Sequence, residues 1–91
     1  MEKRARMKMK QQILIVEDNE LNRAILSELL SNDYKILEAE NGQEALHILE
    51  QEKESINLIL LDVMMPVMDG YTFLDIIKKD LELSLIPVIV M

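Results

Sequence analysis

The apolar residues fall into four short runs, separated by stretches with helical period. Ile13, Leu14, Ile15 and Val16 form the first run. It is mostly β-branched and has no polar interruption, the pattern of a strand covered on both faces of a parallel sheet. It stops abruptly at Glu17, Asp18, Asn19 and Glu20, after which Leu21, Ala24, Ile25 and Leu29 recur at helical spacing with Arg23 and Glu28 between them. Asp18 or Asn19 stands where a helix N-cap is wanted. Residues 34–39 alternate more and carry charge, which predicts an edge strand. Asn41 and Glu44 have the spacing of a capping box and open a second helix, with Ala45, Leu46 and Leu49 as its buried stripe. The third strand is predicted at residues 58–61, all apolar and ending on Asp62. A loop over 63–70 leads into a helix over about 71–80, with Phe73, Leu74 and Ile77 inward. Residues 87–91 predict a fourth strand with Pro87 at its first position, where a missing N–H is tolerated. Strands alternating with helices of about ten residues predict an α/β fold with parallel pairing and right-handed crossovers.

Composition narrows the function classes. The chain has 91 residues, one small domain at most or a piece of one, and its 49% hydrophobic content suffices for a core. There is no Cys, so disulfides and thiolate metal sites are excluded. The single histidine, His47, has no partner for metal or catalytic work and reads as a surface or half-buried helix residue. No apolar run approaches the roughly 20 residues of a membrane span. No apolar stretch of the secretory type follows the basic N-terminus, so a soluble, reducing, cytoplasmic setting is expected. Charge divides the chain: residues 1–12 carry a net +4 and residues 13–91 a net −11. A basic N-terminal tail over 1–12 and a folded part over 13–91 are therefore expected. The acidic body argues against a nucleic-acid surface, because phosphates would be repelled.

The candidate chemistry sits at the strand ends. In an open parallel sheet, ligands bind outside the carboxyl ends of the strands. Glu17 and Asp18 end the first apolar run and Asp62 ends the third. If those strands are neighbours, three carboxylates meet at one rim, which is costly unless something positive sits there. Oxygen-only ligands point to a hard divalent ion, with Mg²⁺ the expected one, and Mg²⁺ commonly bridges carboxylates and a phosphoryl group. An Asp carboxylate can itself take a phosphoryl group as nucleophile. Each acid taken alone reads as no more than a helix cap or a solvated loop residue; their coincidence carries the inference.

These stretches together resemble the receiver domain of a two-component response regulator. The matching segments are ILIVEDN at 13–19, NGQEAL at 41–46, LILLDVMMPVMDG at 58–70 and PVIVM at 87–91. The most specific is the block of Asp62, Met65, Pro66, Met68, Asp69 and Gly70. The resemblance implies a flavodoxin-like, doubly wound parallel sheet, of order 2-1-3-4 here and 2-1-3-4-5 in the complete family fold. It implies that Asp62 is the phospho-acceptor, that Asp18 ligates Mg²⁺ directly and Glu17 through water, and that the backbone carbonyl of Met64 is a further ligand. Pro66 and Gly70 would shape the loop. The family's hydroxyl residue and lysine that contact the phosphoryl group would lie beyond Met91, as would its last helix, strand and helix.

The expected function is thus a phosphorelay receiver, a signalling switch rather than an enzyme in the usual sense. Its partner would be a histidine kinase or phosphotransfer protein. The alternative is a truncated or pseudo-receiver, acting as an interaction module without a working switch. A phosphatase-like enzyme would need a second Asp two residues after Asp62, where Met64 stands. With the last elements absent, self-association through the strand-four edge is also expected.

Overall fold

The computed structural model of the chain describes residues 10–62 and 69–91. Strand β1 (Gln12–Val16) is buried at every position. Helix α1 (Glu20–Leu30), strand β2 (Lys35–Ala39), helix α2 (Gly42–Glu52) and strand β3 (Ile56–Leu61) follow. Helix α3 (Gly70–Lys78), a 3₁₀ turn (Leu83–Leu85) and strand β4 (Val88–Val90) complete the chain. The four strands form one sheet in the order β2-β1-β3-β4, and every pairing is parallel. The chain starts in the middle of the sheet and winds outward both ways, as the flavodoxin-like reading expects.

Side-chain alternation divides the core. Leu14 and Val16 of β1 join Ala39, Ile59 and Leu61 in a cluster closed by Ala45 and Leu49 of α2 and by Phe73 and Ile77 of α3. Ile13 and Ile15 are buried outside that cluster, on the opposite face, where α1 packs over β1 and β2. The helices begin as their caps dictate. The Asn19 side chain accepts from Asn22 N–H at 2.8 Å, and Asp69 accepts from Thr72 N–H at 2.8 Å. Asn41 accepts from Glu44 N–H at 2.7 Å, while the Glu44 carboxylate takes Glu40 N–H at 2.8 Å. The reciprocal half of that capping box therefore lands one residue ahead of Asn41. Among the described residues no helix is long and apolar enough to cross a membrane.

Most elements lie within two residues of their predicted bounds, and the structure adds which side of α1 meets the sheet. The apolar stripe that signals α1 points outward: Leu21 is 68% and Leu29 69% exposed, and Ile25 and Ala24 are exposed too. The side turned to the sheet carries Arg23, Leu26, Ser27 and Leu30, all half-buried. Helix α1 is apolar on two sides, and the sheet can cover only one of them. A single sequence stripe identifies a helix without saying which stripe the sheet will take.

Candidate functional site

The site is built by strand register. Val16 aligns with Ala39 on one side and with Leu61 on the other, so β1, β2 and β3 end level with one another. The ladder continues one residue further. Glu17 N–H donates to Ala39 O at 3.0 Å, and Asp62 N–H donates to Val16 O at 2.9 Å. Glu17 and Asp62 are thereby held side by side at the carboxyl edge of the sheet. Carboxylate oxygens of Glu17, Asp18 and Asp62 all lie within 4.8 Å of one another. Glu17 is buried, Asp62 half-buried and Asp18 exposed, so the cluster grades from the sheet end outward to solvent.

Glu17 is fixed at three points. Besides its N–H, its carbonyl accepts from Arg23 Nη1 at 2.8 Å, and its Oε2 accepts from Asn19 N–H at 3.1 Å. Burial holds the Glu17 carboxyl above its ordinary value; the Asn19 N–H opposes this, and the neighbouring Asp62 charge adds to the rise. The fold therefore binds a proton on Glu17 more tightly than the unfolded chain does. In the absence of divalent ions its contribution to stability falls as pH rises from the ordinary 4.5 through the raised value, and it stays unfavourable at neutral pH. Glu17→Gln is expected to stabilise the ion-free chain at pH 7, with the advantage vanishing below pH 4.5. Urea unfolding in chelator at the two pH values checks this; equal midpoints for both chains at pH 7 would contradict it.

The donor set fits a hard divalent cation. It offers only oxygens, all within 4.8 Å of one another, the ligand type that hard ions such as Mg²⁺ take. A cation there would offset the repulsion among three acids. Met64, expected to offer its carbonyl, and Pro66 lie outside the described residues. Gly70 is buried as the first residue of α3. His47 is exposed on α2, 3.9 Å from Glu50.

Two residues in this neighbourhood, Arg23 and Glu38, were not singled out from the sequence. Arg23 reaches back from α1, and its Nε also pairs with Glu38 Oε1 of β2 at 3.2 Å. The usable signal was a cation early in a helix, where the dipole disfavours positive charge and a carboxylate partner is wanted.

Residues 13–91 match the family described as response regulator receiver domain. The chain is 46% identical to a "Histidine kinase P4" of Formosa agariphila over 92% of its own length, but spans only 6% of that protein. Among solved structures it resembles the phosphorylated cyanobacterial phytochrome response regulator RcpA, with TM-score 0.80 and 36% identity over 89% of this chain and 64% of that one. It also resembles the Mn²⁺-bound form of response regulator Rcp1, with TM-score 0.77 and 34% identity over 88% of this chain and 63% of that one.

Proposed function

The chain belongs to the response regulator receiver domain family, and from that premise we propose that its acidic rim is a phosphoryl-acceptor site dependent on Mg²⁺. Asp62 is the acceptor, and Asp18, Glu17 and Asp62 hold the ion, with the Met64 carbonyl as a further ligand. The single observation that carries this reading is the convergence of the three carboxylates within 4.8 Å at the level ends of β1 and β3. That one relative is described as Mn²⁺-bound and another as phosphorylated supports it.

The donor is a phosphohistidine of a histidine kinase or phosphotransfer protein. An Asp62 carboxylate oxygen attacks phosphorus, the P–N bond breaks, and the imidazole nitrogen leaves as the acyl phosphate P–O bond forms. Bound Mg²⁺ supplies charge neutralisation for the incoming phosphoryl oxygens. The chain's own residues do the positioning. The β1–β3 ladder fixes the Asp62 backbone, and the three-point hold on Glu17 fixes the loop from which Asp18 extends. Residues 13–91 act as the receiver unit, joined by Gln12, which is buried as the first residue of β1, and the basic stretch before it is a tail. A kinase partner sets the reaction in the cytoplasm, and the isolated chain associates with itself through β4.

The test is to incubate the chain with Mg²⁺ and a small phosphodonor, digest it and locate the modification. Phosphate on the peptide containing Asp62 is the expected result. Phosphate on a Ser, a Thr or His47 instead, or none at all, would overturn the assignment and favour an interaction module without a switch.

A further inference from the structure

The residue that ties the acidic loop to the rest of the sheet is a cation that a simple charge argument would keep away from a metal site. Arg23 is only 15% exposed, and its guanidinium makes two contacts in two directions. Nη1 donates to the Glu17 carbonyl at 2.8 Å, and Nε donates to Glu38 Oε1 at 3.2 Å. Glu38 stands one residue before the end of β2, on the sheet face that α1 covers, opposite Ile15 in register. The Glu17 carbonyl belongs to the peptide plane that joins Glu17 to Asp18. With Glu17 N–H on Ala39 and its carbonyl on Arg23, both peptide planes flanking the Glu17 Cα are fixed. The second of those planes sets the direction in which the exposed Asp18 leaves the chain. Asp18 has no such restraint of its own from the strand ladder, because β1 pairing ends at Glu17.

We infer that Arg23 is a positioning residue for the ion site, and that with Glu38 it forms a brace between α1 and β2 that aims Asp18 at the ion shared with Glu17 and Asp62. The inference rests on the Mg²⁺ reading above and extends it to residues that touch neither ion nor phosphoryl group. A planar guanidinium with donors fixed in a fork can hold the carbonyl and the carboxylate at once; a lysine ammonium, a point charge on a flexible stem, does not reproduce this geometry. Partners that orient metal ligands typically change metal affinity 10–100-fold when removed.

The sign of the effect separates positioning from bare electrostatics. A cation beside a Mg²⁺ site repels the ion, so if Arg23 acted only as a charge, Arg23→Gln would tighten binding. As a brace, its loss weakens binding despite the removed repulsion. The experiment is a Mg²⁺ titration of the 91-residue chain, read by amide shifts of Asn19 and Asp62, for the wild type and for Arg23→Gln, Arg23→Lys, Glu38→Gln and Asp18→Ala. The same spectra report whether each variant is folded, and Arg23→Lys, which keeps the charge and so should leave affinity unchanged on electrostatics alone, carries the test should Arg23→Gln lose the fold. Expected are affinities about tenfold weaker for Arg23→Gln and Arg23→Lys and a smaller loss for Glu38→Gln. The losses should overlap rather than add when Arg23→Lys and Glu38→Gln are combined. Unchanged or tighter binding in folded Arg23 variants would overturn the brace and leave the ion site standing. A wild type without Asp18-dependent binding would overturn both.

Discussion

Asp18→Ala is expected to weaken Mg²⁺ binding at least about tenfold, the largest loss available from one exposed side chain of this molecule. Mg²⁺ keeps most of its waters and takes only one or two carboxylates directly, so losing one direct ligand removes a large share of what the protein offers the ion. Asp18 is the most exposed of the three and the most able to approach an ion without a desolvation cost. Its removal is also clean. Asn19, not Asp18, caps α1, accepting from Asn22 N–H at 2.8 Å, so the alanine variant should keep its fold. Calorimetric titration with Mg²⁺ in both chains checks the prediction. Equal affinities would show that the ion, if bound, is held without Asp18.

The second large effect concerns the surface of the 91-residue chain. The outer side of α1 exposes Leu21, Ile25 and Leu29, and the β4 side exposes Ile89, Val90 and Met91. Strand β4 is also an edge of the sheet, with β3 as its neighbour. At roughly 25 cal/mol per Å², leaving about 200–300 Å² of such surface bare forgoes about 5–7.5 kcal/mol. Total domain stability is only about 5–15 kcal/mol. The solved relatives named above extend beyond the matched part, which covers 63–64% of each of their chains. The 91-residue chain is therefore expected to unfold with low cooperativity or to associate through the β4 edge, with apparent mass rising with concentration. Chains extended to the full length of those relatives should be monomeric and more stable. Sizing in parallel with thermal unfolding tests this. A strictly monomeric 91-residue chain with a cooperative transition at an ordinary mesophile temperature would contradict it.

What was legible in the sequence was whatever depends on local pattern. Ile13 to Val16 read as a doubly covered strand because a parallel sheet buries both faces, and every residue of β1 is buried. Asn19 and Asn41 stand at helix starts because their short side chains satisfy free N–H groups there. The acidic rim was legible because acids ending two apolar runs must meet if the strands are neighbours, as β1 and β3 are. What escaped depends on distant partners. The choice between the two apolar sides of α1 is made by the sheet, not by the helix. The Arg23–Glu38 pair spans two elements, and neither residue belongs to a local motif.

The central claim, that Asp62 accepts a phosphoryl group in a Mg²⁺-dependent reaction, is tested most directly by the intact mass of the chain after incubation with a small phosphodonor. Wild type and Asp62→Asn would be compared, each with Mg²⁺ and with chelator. Asn keeps the size of Asp62 while removing the attacking carboxylate oxygen and leaving Glu17 and Asp18 in place. The account predicts the mass of one phosphoryl group on the wild type with Mg²⁺ and no gain in the other three samples. A gain on Asp62→Asn, or an equal gain on the wild type in chelator, would contradict it.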